Sequence, residues 1–371
     1  MRVICEQRKL LAAVQTAARC AASRAVMPVL GGILVSAGPS GLTVRATDTE
    51  VAVEYSIPAQ VLEEGDTVIS ARYFSDLVRR LPDCDVTIEV DHLDRTVAFT
   101  YGTANFKLNT FSAEDFPLFP PFRRVLEDTF SQRDFKNYIR QVAAAASPEP
   151  IRPIFSGMLW EIKEGFLNMV ATDTHRLALR TGIPVSQETE KALPRVIIPV
   201  KALNELCRLF GDEEEEFRIA LEEGMIAFIA PEFVLAARTV EGRFPDYERA
   251  MPSSFKTVAV AEKEALISSL ERASLLVSAK DRGSIVGVEV CGGRMTIFSY
   301  SAGMGSLREE MEVLQEGENI EINFNARYFL EALRVLNGKE AVLSFAGSLS
   351  PCVISDREDD NYRHLLLPVK V

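Results

Sequence analysis

The chain has 371 residues, 47% of them hydrophobic and 25% charged, which excludes a disordered, collagen-like or disulfide-scaffold protein and leaves room for two to four domains at roughly 100–200 residues each. Asp and Glu number 53 against 41 Lys and Arg, a net charge of -12, so nucleic acid is a partner only if basic residues gather on one surface. Six scattered cysteines form no C-x-x-C pair and fit a reducing, cytoplasmic setting; no signal peptide and no apolar run of about 18 residues is found, so no membrane span is expected.

A helix comes first, with Leu10, Leu11, Val14, Ala17 and Ala18 at the spacing of one apolar face. Strands follow at Gly32 to Ala37, Leu42 to Ala46 and Val51 to Ile57, broken by Gly38-Pro39-Ser40-Gly41. A second helix is expected over 72–81, then two or three more strands. The order begins again after Ser131, an N-cap for a helix carrying Phe135, Ile139, Val142 and Ala143, with its second helix over 200–210. Leu266, Ile267 and Leu270 open a third round, whose second helix is expected over 327–337. The acidic run from Asp212 to Glu216 reads as a solvated loop.

These rounds are an internal repeat. Met27-Pro28-Val29-Leu30-Gly31-Gly32-Ile33-Leu34 resembles Arg152-Pro153-Ile154-Phe155-Ser156-Gly157-Met158-Leu159, and Pro28 and Pro153 lie 125 positions apart. Ala46-Thr47-Asp48-Thr49-Glu50 and Ala171-Thr172-Asp173-Thr174-His175 match at the same offset. Ala71-Arg72-Tyr73-Phe74 returns as Ala326-Arg327-Tyr328-Phe329. The period is too long for a solenoid of roughly 20–50 residues per repeat. It describes three copies of a whole domain, with boundaries expected at 1–125, 126–252 and 253–371.

The helices and their ends carry about 19 bases against about nine acids, so the remainder is strongly acidic. Two readings stand side by side: solvated helix faces, or a basic surface that attracts phosphates without reading bases. Aromatic interleaving, helix-turn-helix and zinc-finger patterns are absent from these stretches.

The motifs Ala171-Thr172-Asp173-Thr174-His175-Arg176-Leu177, Glu241-Gly242-Arg243-Phe244-Pro245-Asp246-Tyr247, Phe324-Asn325-Ala326-Arg327-Tyr328 and Leu366-Leu367-Pro368-Val369-Lys370-Val371, in this order on a threefold repeat, resemble the bacterial DNA polymerase III beta subunit family, the sliding clamps. The resemblance covers the whole chain. It implies an α+β fold of three DNA-clamp domains, each with two helices packed on antiparallel sheets, and a head-to-tail homodimeric ring. It also implies a processivity factor that encircles duplex DNA without sequence preference and tethers its polymerase at high effective concentration. Further implied partners are the replicative polymerase alpha subunit, the clamp loader, other polymerases and repair proteins, all through linear peptides.

The resemblance places a peptide pocket between domains two and three. Its walls would be Phe155, Thr172, Thr174, His175, Arg176 and Leu177 from domain two, and Pro245, Arg249 and Ala250 from the connector. Asn325, Tyr328, Leu349, Pro351, Leu365, Leu366, Leu367, Pro368 and Val369 would come from domain three. Apolar walls with few polar groups suit Leu and Phe anchors, and Arg176 and Arg249 would orient polar or acidic peptide groups. Asp173 reads as a turn former, because Asp48 holds the matching place in the first copy. Thr174 stands where many family members have glycine, and the stretch Lys280-Asp281-Arg282-Gly283 shows no aromatic of the kind some members add to the pocket. Arg24 and Arg72 match positions that touch DNA. Phe106 and Leu108 would meet Leu275 and Leu276 across the dimer, with ordinary core as the alternative for each.

An enzyme is the rival class, for instance a hydrolase using His175 with Asp173. Only three histidines are present, and H-E-x-x-H, G-x-S-x-G and P-loop patterns are absent. A non-catalytic protein without cofactor or metal is therefore expected. A scaffold of the same fold that does not bind DNA is the second rival.

Overall fold

A computed structural model describes residues 1–23, 27–117, 122, 124–149, 152–211, 215–276, 285–301 and 303–370. Strand pairing gathers the chain into two compact units, Met1–Arg133 with Glu205–Thr239, and Asp134–Asn204 with Val240–Val371. Arg24, the middle of the acidic run and the segment around Lys280 lie outside the described residues.

In the first unit, the helix Gln7–Cys20 buries Leu10, Ala13, Val14 and Ala17 against the strands Gly32–Gly38, Gly41–Thr47 and Val51–Ile57. The helix Ala71–Val78 packs beside it, and Gln7 Nε2 donates to Val78 O at 2.8 Å in the buried contact. The strands form one 13-stranded antiparallel sheet. Within it Phe233–Arg238 pairs with Val51–Ile57, Phe233 opposite Tyr55 and Ala237 opposite Val51, so strands from the first and second sequence repeats share one ladder.

The second unit holds a nine-stranded and a four-stranded sheet. In the larger one, Arg176–Pro184 pairs with Asp359–Leu366, Arg176 opposite Leu366 and Arg180 opposite Tyr362. That ladder joins the second repeat to the third. The helices Lys263–Ser274 and Ala326–Arg334 pack on one another, the first also against Ile285–Cys291, Arg294–Ser301 and Gly305–Glu312. Trp160 is fully buried, edge-on to Phe135 at 5.8 Å.

The second helix of each repeat is shorter than its periodicity predicts: Ala71–Val78, Val200–Leu209 and Ala326–Arg334. In the first and third copies the chain leaves the helix through tightened turns, with Leu81 N bonded to Val78 O and Leu336 N to Leu333 O, so Leu81 and Leu336 pack without extending it. A short helix, Gln187–Ala192, was not expected. Ser186 caps it by accepting from Thr189 N at 3.2 Å, and Glu188 and Glu190 lie in its first turn. Glu216 opens the strand Glu216–Glu222 rather than closing a loop.

One pair of glycines explains why the repeat is so visible. The turns Pro28–Gly31 and Pro153–Phe155 deliver the chain into strands at Gly32 and Gly157. A Cβ on Gly32 would stand 2.4 Å from Val68 Cγ1, and one on Gly157 would stand 2.4 Å from Ile197 Cγ2. Both neighbours are short, β-branched and buried, with little room to withdraw. Gly157→Ala is expected to destabilise the chain by about 1–3 kcal/mol through overpacking, read as a lower midpoint in thermal or urea unfolding. An unchanged midpoint would refute the close approach.

Candidate partner-binding site at the strand seam

The site is built around the Thr172–Arg176 turn. Thr172 Oγ1 donates to Arg176 O at 2.6 Å and accepts from Thr174 N at 3.2 Å. Asp173 Oδ1 accepts from the amides of His175 and Arg176 at 2.9 and 3.1 Å. Thr174 is thereby held at φ 77°, a left-handed conformation that suits glycine. The first repeat copies every bond: Thr47 to Val51 O at 3.0 Å, Thr49 N to Thr47 at 2.9 Å, and Asp48 to the amides of Glu50 and Val51 at 3.1 and 2.8 Å, with Thr49 at φ 79°. Asp173 is a turn former, as Asp48 predicts.

Arg176 is held within the fold. Its side chain is buried, its Nε donates to Asp173 Oδ2 at 3.0 Å and its Nη1 to Glu331, and its guanidinium lies 4.2 Å from the centre of the Tyr328 ring. A cation flanked by two carboxylates and an aromatic face braces the turn against the helix that carries Tyr328 and Glu331. Burial opposes the charge on Glu331, but hydrogen bonds from Arg327 and Arg176 outweigh it and hold the carboxyl below its ordinary range. His175, exposed, stacks on Tyr328 with ring centres 6.4 Å apart. Asn325 caps the helix that carries Tyr328, accepting from the amides of Arg327 and Tyr328 at 3.0 and 3.3 Å.

The C-terminal segment lies along this turn. Leu367 N donates to His175 O at 3.0 Å and Val369 N to Asn323 O at 2.8 Å. Leu365, Leu366 and Leu177 are buried and make the floor rather than open walls. Leu177 and Leu365 share one apolar cluster with Leu159, Val170, Leu179, Ile197, Phe244 and Tyr247. Thr172 and Phe155 are also buried, whereas Thr174 and Leu367 are exposed and Pro368 and Val369 half-buried. A cleft of about 270 Å³ beside the turn is lined by Ser147, Glu149, Arg152, Phe155, Asp173 and Thr174.

The remaining expected wall residues sit on two loops. Pro245 and Ala250 are exposed on the connector, and Arg249, 87% exposed, pairs with Asp246 at 2.9 Å. Leu349, 71% exposed, and Pro351 lie on the loop before Cys352–Asp356, whose Cys352 stands opposite Leu366 in the sheet. Sequence reasoning missed Glu331, whose only local signal is its spacing four residues after Arg327, and Phe244 and Tyr247, which served there only as signature residues.

Behind the floor, His364 is fully buried. Tyr362 Oη donates to Gln141 O at 3.1 Å and stands 3.0 Å from His364 Nδ1, so Nδ1 carries the proton and Nε2 is left without a partner among the described residues. Burial first, and the nearby Arg176 charge second, push its pKa down to about 3.

Other expected residues lie elsewhere. Arg72 is exposed on Ala71–Val78, 5.9 Å from the Tyr73 ring centre, and pairs with no carboxylate among the described residues. Phe106 is 43% and Leu275 76% exposed, and Leu108 and Leu276 are half-buried, so none of the four is ordinary core. Among the described residues no group of three or more His, Cys, Asp or Glu side chains is arranged to hold a metal ion, and no helix is long and apolar enough to cross a membrane.

Repeated domains of two helices on antiparallel sheets, with ladders running unbroken from one repeat into the next and a cleft beside the Thr172–Arg176 turn, define a protein of the DNA-clamp class. The comparisons make the assignment specific. The N-terminal, central and C-terminal domains of the DNA polymerase III beta subunit match residues 1–120, 129–246 and 248–370. The beta sliding clamp of Bacillus subtilis is 31% identical over 383 residues, covering 100% of both chains, and that of Halalkalibacterium halodurans is 30% identical over 363 residues, covering 95% of each. Among solved structures, a DNA polymerase sliding clamp from Bacillus subtilis superposes with a TM-score of 0.94 at 30% identity, covering 100% of this chain and 99% of that one. A Pseudomonas aeruginosa clamp bound to griselimycin gives 0.93 at 27% identity over the whole of both chains. The chain belongs to the DNA polymerase III beta subunit family, the sliding clamps, and is a non-catalytic processivity factor.

Two expectations follow for the turn and its floor. Thr174→Gly removes about 1–2 kcal/mol of left-handed strain and adds about 0.5–1 kcal/mol of unfolded-chain entropy, so unfolding measurements should show a small net gain in stability; a loss would mean the threonine side chain contributes a contact that outweighs its strain. His364 has a folded pKa of about 3 against an ordinary 6.5. Its stabilising effect is complete above pH 6.5 and falls by about 1.4 kcal/mol per pH unit as the medium is acidified toward pH 3. Urea unfolding at pH 7.5 and 5.0 should reveal a loss of about 2 kcal/mol in the native protein that is absent from His364→Gln.

Proposed function

We propose that this clamp closes as a head-to-tail homodimer around duplex DNA and captures its polymerase and other partners by linear peptides laid in the cleft at the Arg176–Pro184 seam, in the cytoplasm. The observation that supports the peptide reading is the cleft of about 270 Å³ that Phe155 and Thr174 line beside the exposed His175 and Leu367, with the core cluster of Leu177, Leu365, Phe244 and Tyr247 in the same unit. A concave apolar surface with few polar groups accepts Leu and Phe anchors. Phe155, Thr172, Asn325, Tyr328, Leu349, Pro351, Leu366, Pro368 and Val369 complete the proposed wall, with Pro245, Arg249 and Ala250 on the connector side.

Dimerisation is supported by two open strand edges. Ala104–Phe111 pairs with another strand on one side only over residues 104–109, and Gly305–Glu312 is the outer strand of the four-stranded sheet. The exposed Phe106 and Leu275, with Leu108 and Leu276, supply apolar contacts, and Lys107 opposes the acidic Glu310 and Glu312 in sign. Strand addition between copies would cover both edges. For DNA, Arg72 is the described residue proposed to meet phosphate, and Arg24 is its partner from the sequence reading.

Fluorescence anisotropy of a Gln-Leu-x-Leu-Phe-type peptide tests the cleft. Micromolar binding is expected from the native chain and none from a form lacking Pro368 through Val371; equal binding by both would refute the site. Arg24→Ala with Arg72→Ala should weaken the salt-dependent association with DNA by about tenfold between matched salt conditions and leave peptide affinity unchanged.

A further inference from the structure

The connector over residues 240–252 has little regular structure, yet it carries three of the proposed cleft residues. Its entry is fixed by Val240 N on Ile197 O at 2.7 Å. Between Pro245 and Arg249 the chain buries Tyr247, and the tyrosine hydroxyl donates to Glu161 Oε1 at 2.5 Å. Glu161 lies on the strand Gly157–Lys163 with its side chain 8% exposed. Its other oxygen pairs with Arg195 Nε at 3.2 Å. Lys163, two residues on along the same face of the strand, places its ammonium 3.1 Å from Glu161, 2.5 Å from Glu248 and 5.1 Å from the centre of the Tyr247 ring.

We propose that the Glu161–Tyr247–Lys163 knot is a latch that positions the connector, and that Glu161 and Tyr247 are positioning residues for peptide binding although neither is exposed to the peptide. This rests on the peptide reading of the cleft. Its physical basis is that Tyr247 reaches two surfaces at once. Its ring belongs to the apolar core cluster with Leu177, the residue that follows the Thr172–Arg176 turn, and with Leu365 and Phe244, while its hydroxyl is tied to a buried carboxylate. Fixing that one ring sets the placement of Pro245 on one side and Arg249 on the other. Two cations and a hydroxyl face the carboxyl group, so the contact is directional rather than merely apolar. Burial and then Glu161 push the hydroxyl up to about 12.

Glu161→Gln and Tyr247→Phe retain shape and remove the charge or the hydroxyl. Two readouts are made on each variant well below its unfolding midpoint. Hydrogen exchange in the peptide-free protein reads the latch directly, through amides such as Ala250 and Met251 that bond within the connector turn. Anisotropy reads peptide affinity. The proposal expects connector amides to exchange about tenfold faster and peptide affinity to fall about three- to tenfold. A merely structural knot would lower the midpoint and leave the affinity of the folded variants unchanged, and that result overturns the proposal. Unchanged connector exchange overturns it as well. Failure of the native chain to bind peptide would instead overturn the cleft reading beneath it, and the exchange arm tells the two failures apart.

Discussion

The ladder between Arg176–Pro184 and Asp359–Leu366 is the constraint on which the partner site depends. It brings residues nearly two hundred positions apart into adjacent register and sets Leu177 opposite Leu365. Arg176 then makes the register singular. Its buried guanidinium must face Asp173, Glu331 and Tyr328 together, and a slip of one residue would turn that charge into the opposite face of the sheet. A buried ion pair is a poor source of net stability, because desolvation cancels much of the attraction. Its value here is specificity: an alternative register would leave a charge unpaired, and breaking such a pair costs about 3–5 kcal/mol.

Local grammar was legible where it repeats. Pro28 and Pro153 start matching turns, Gly32 and Gly157 admit matching β-branched neighbours, and Asp48 and Asp173 close the same left-handed turn. Each of these acts within a few residues or recurs at one offset, so a single sequence displays it twice. Helix ends were less legible, since the periodicity of Leu81 and Leu336 continues through tightened turns that are no longer helix. Long-range polar partners were not legible at all. Nothing in the order of residues links Glu161 to Tyr247 or Arg176 to Asp173, Glu331 and Tyr328 together.

The two carboxyl-rich knots of the site differ in a way that burial explains. Around Glu331 one acid is partly exposed and the other, Asp173, is buried, and together they hold a buried arginine in place. Around Glu161 the acid is buried and three donors converge on it. The first fixes the turn that presents His175; the second fixes the connector opposite. Both are anchored on strands of the nine-stranded sheet, so a turn and a linker without regular structure are tied to the ladder behind them.

The charge on the helices follows a related economy. The sequence displays a basic excess there, yet much of it is answered locally: Arg19 and Arg208 share Glu205, Arg79 and Arg80 share Asp76, Arg272 pairs with Glu309 and Arg334 with Glu271. Exposed pairs of this kind add about 0–1 kcal/mol each to stability, so their larger effect is on the field that a phosphate would meet. Association with DNA weakens with salt in proportion to the phosphates neutralised, a slope of about 0.9 per contact. A surface whose cations are mostly paired releases few counterions and holds a polyanion loosely. Loose, sequence-blind contact lets a closed ring move along the duplex, and topology then supplies the retention that affinity does not.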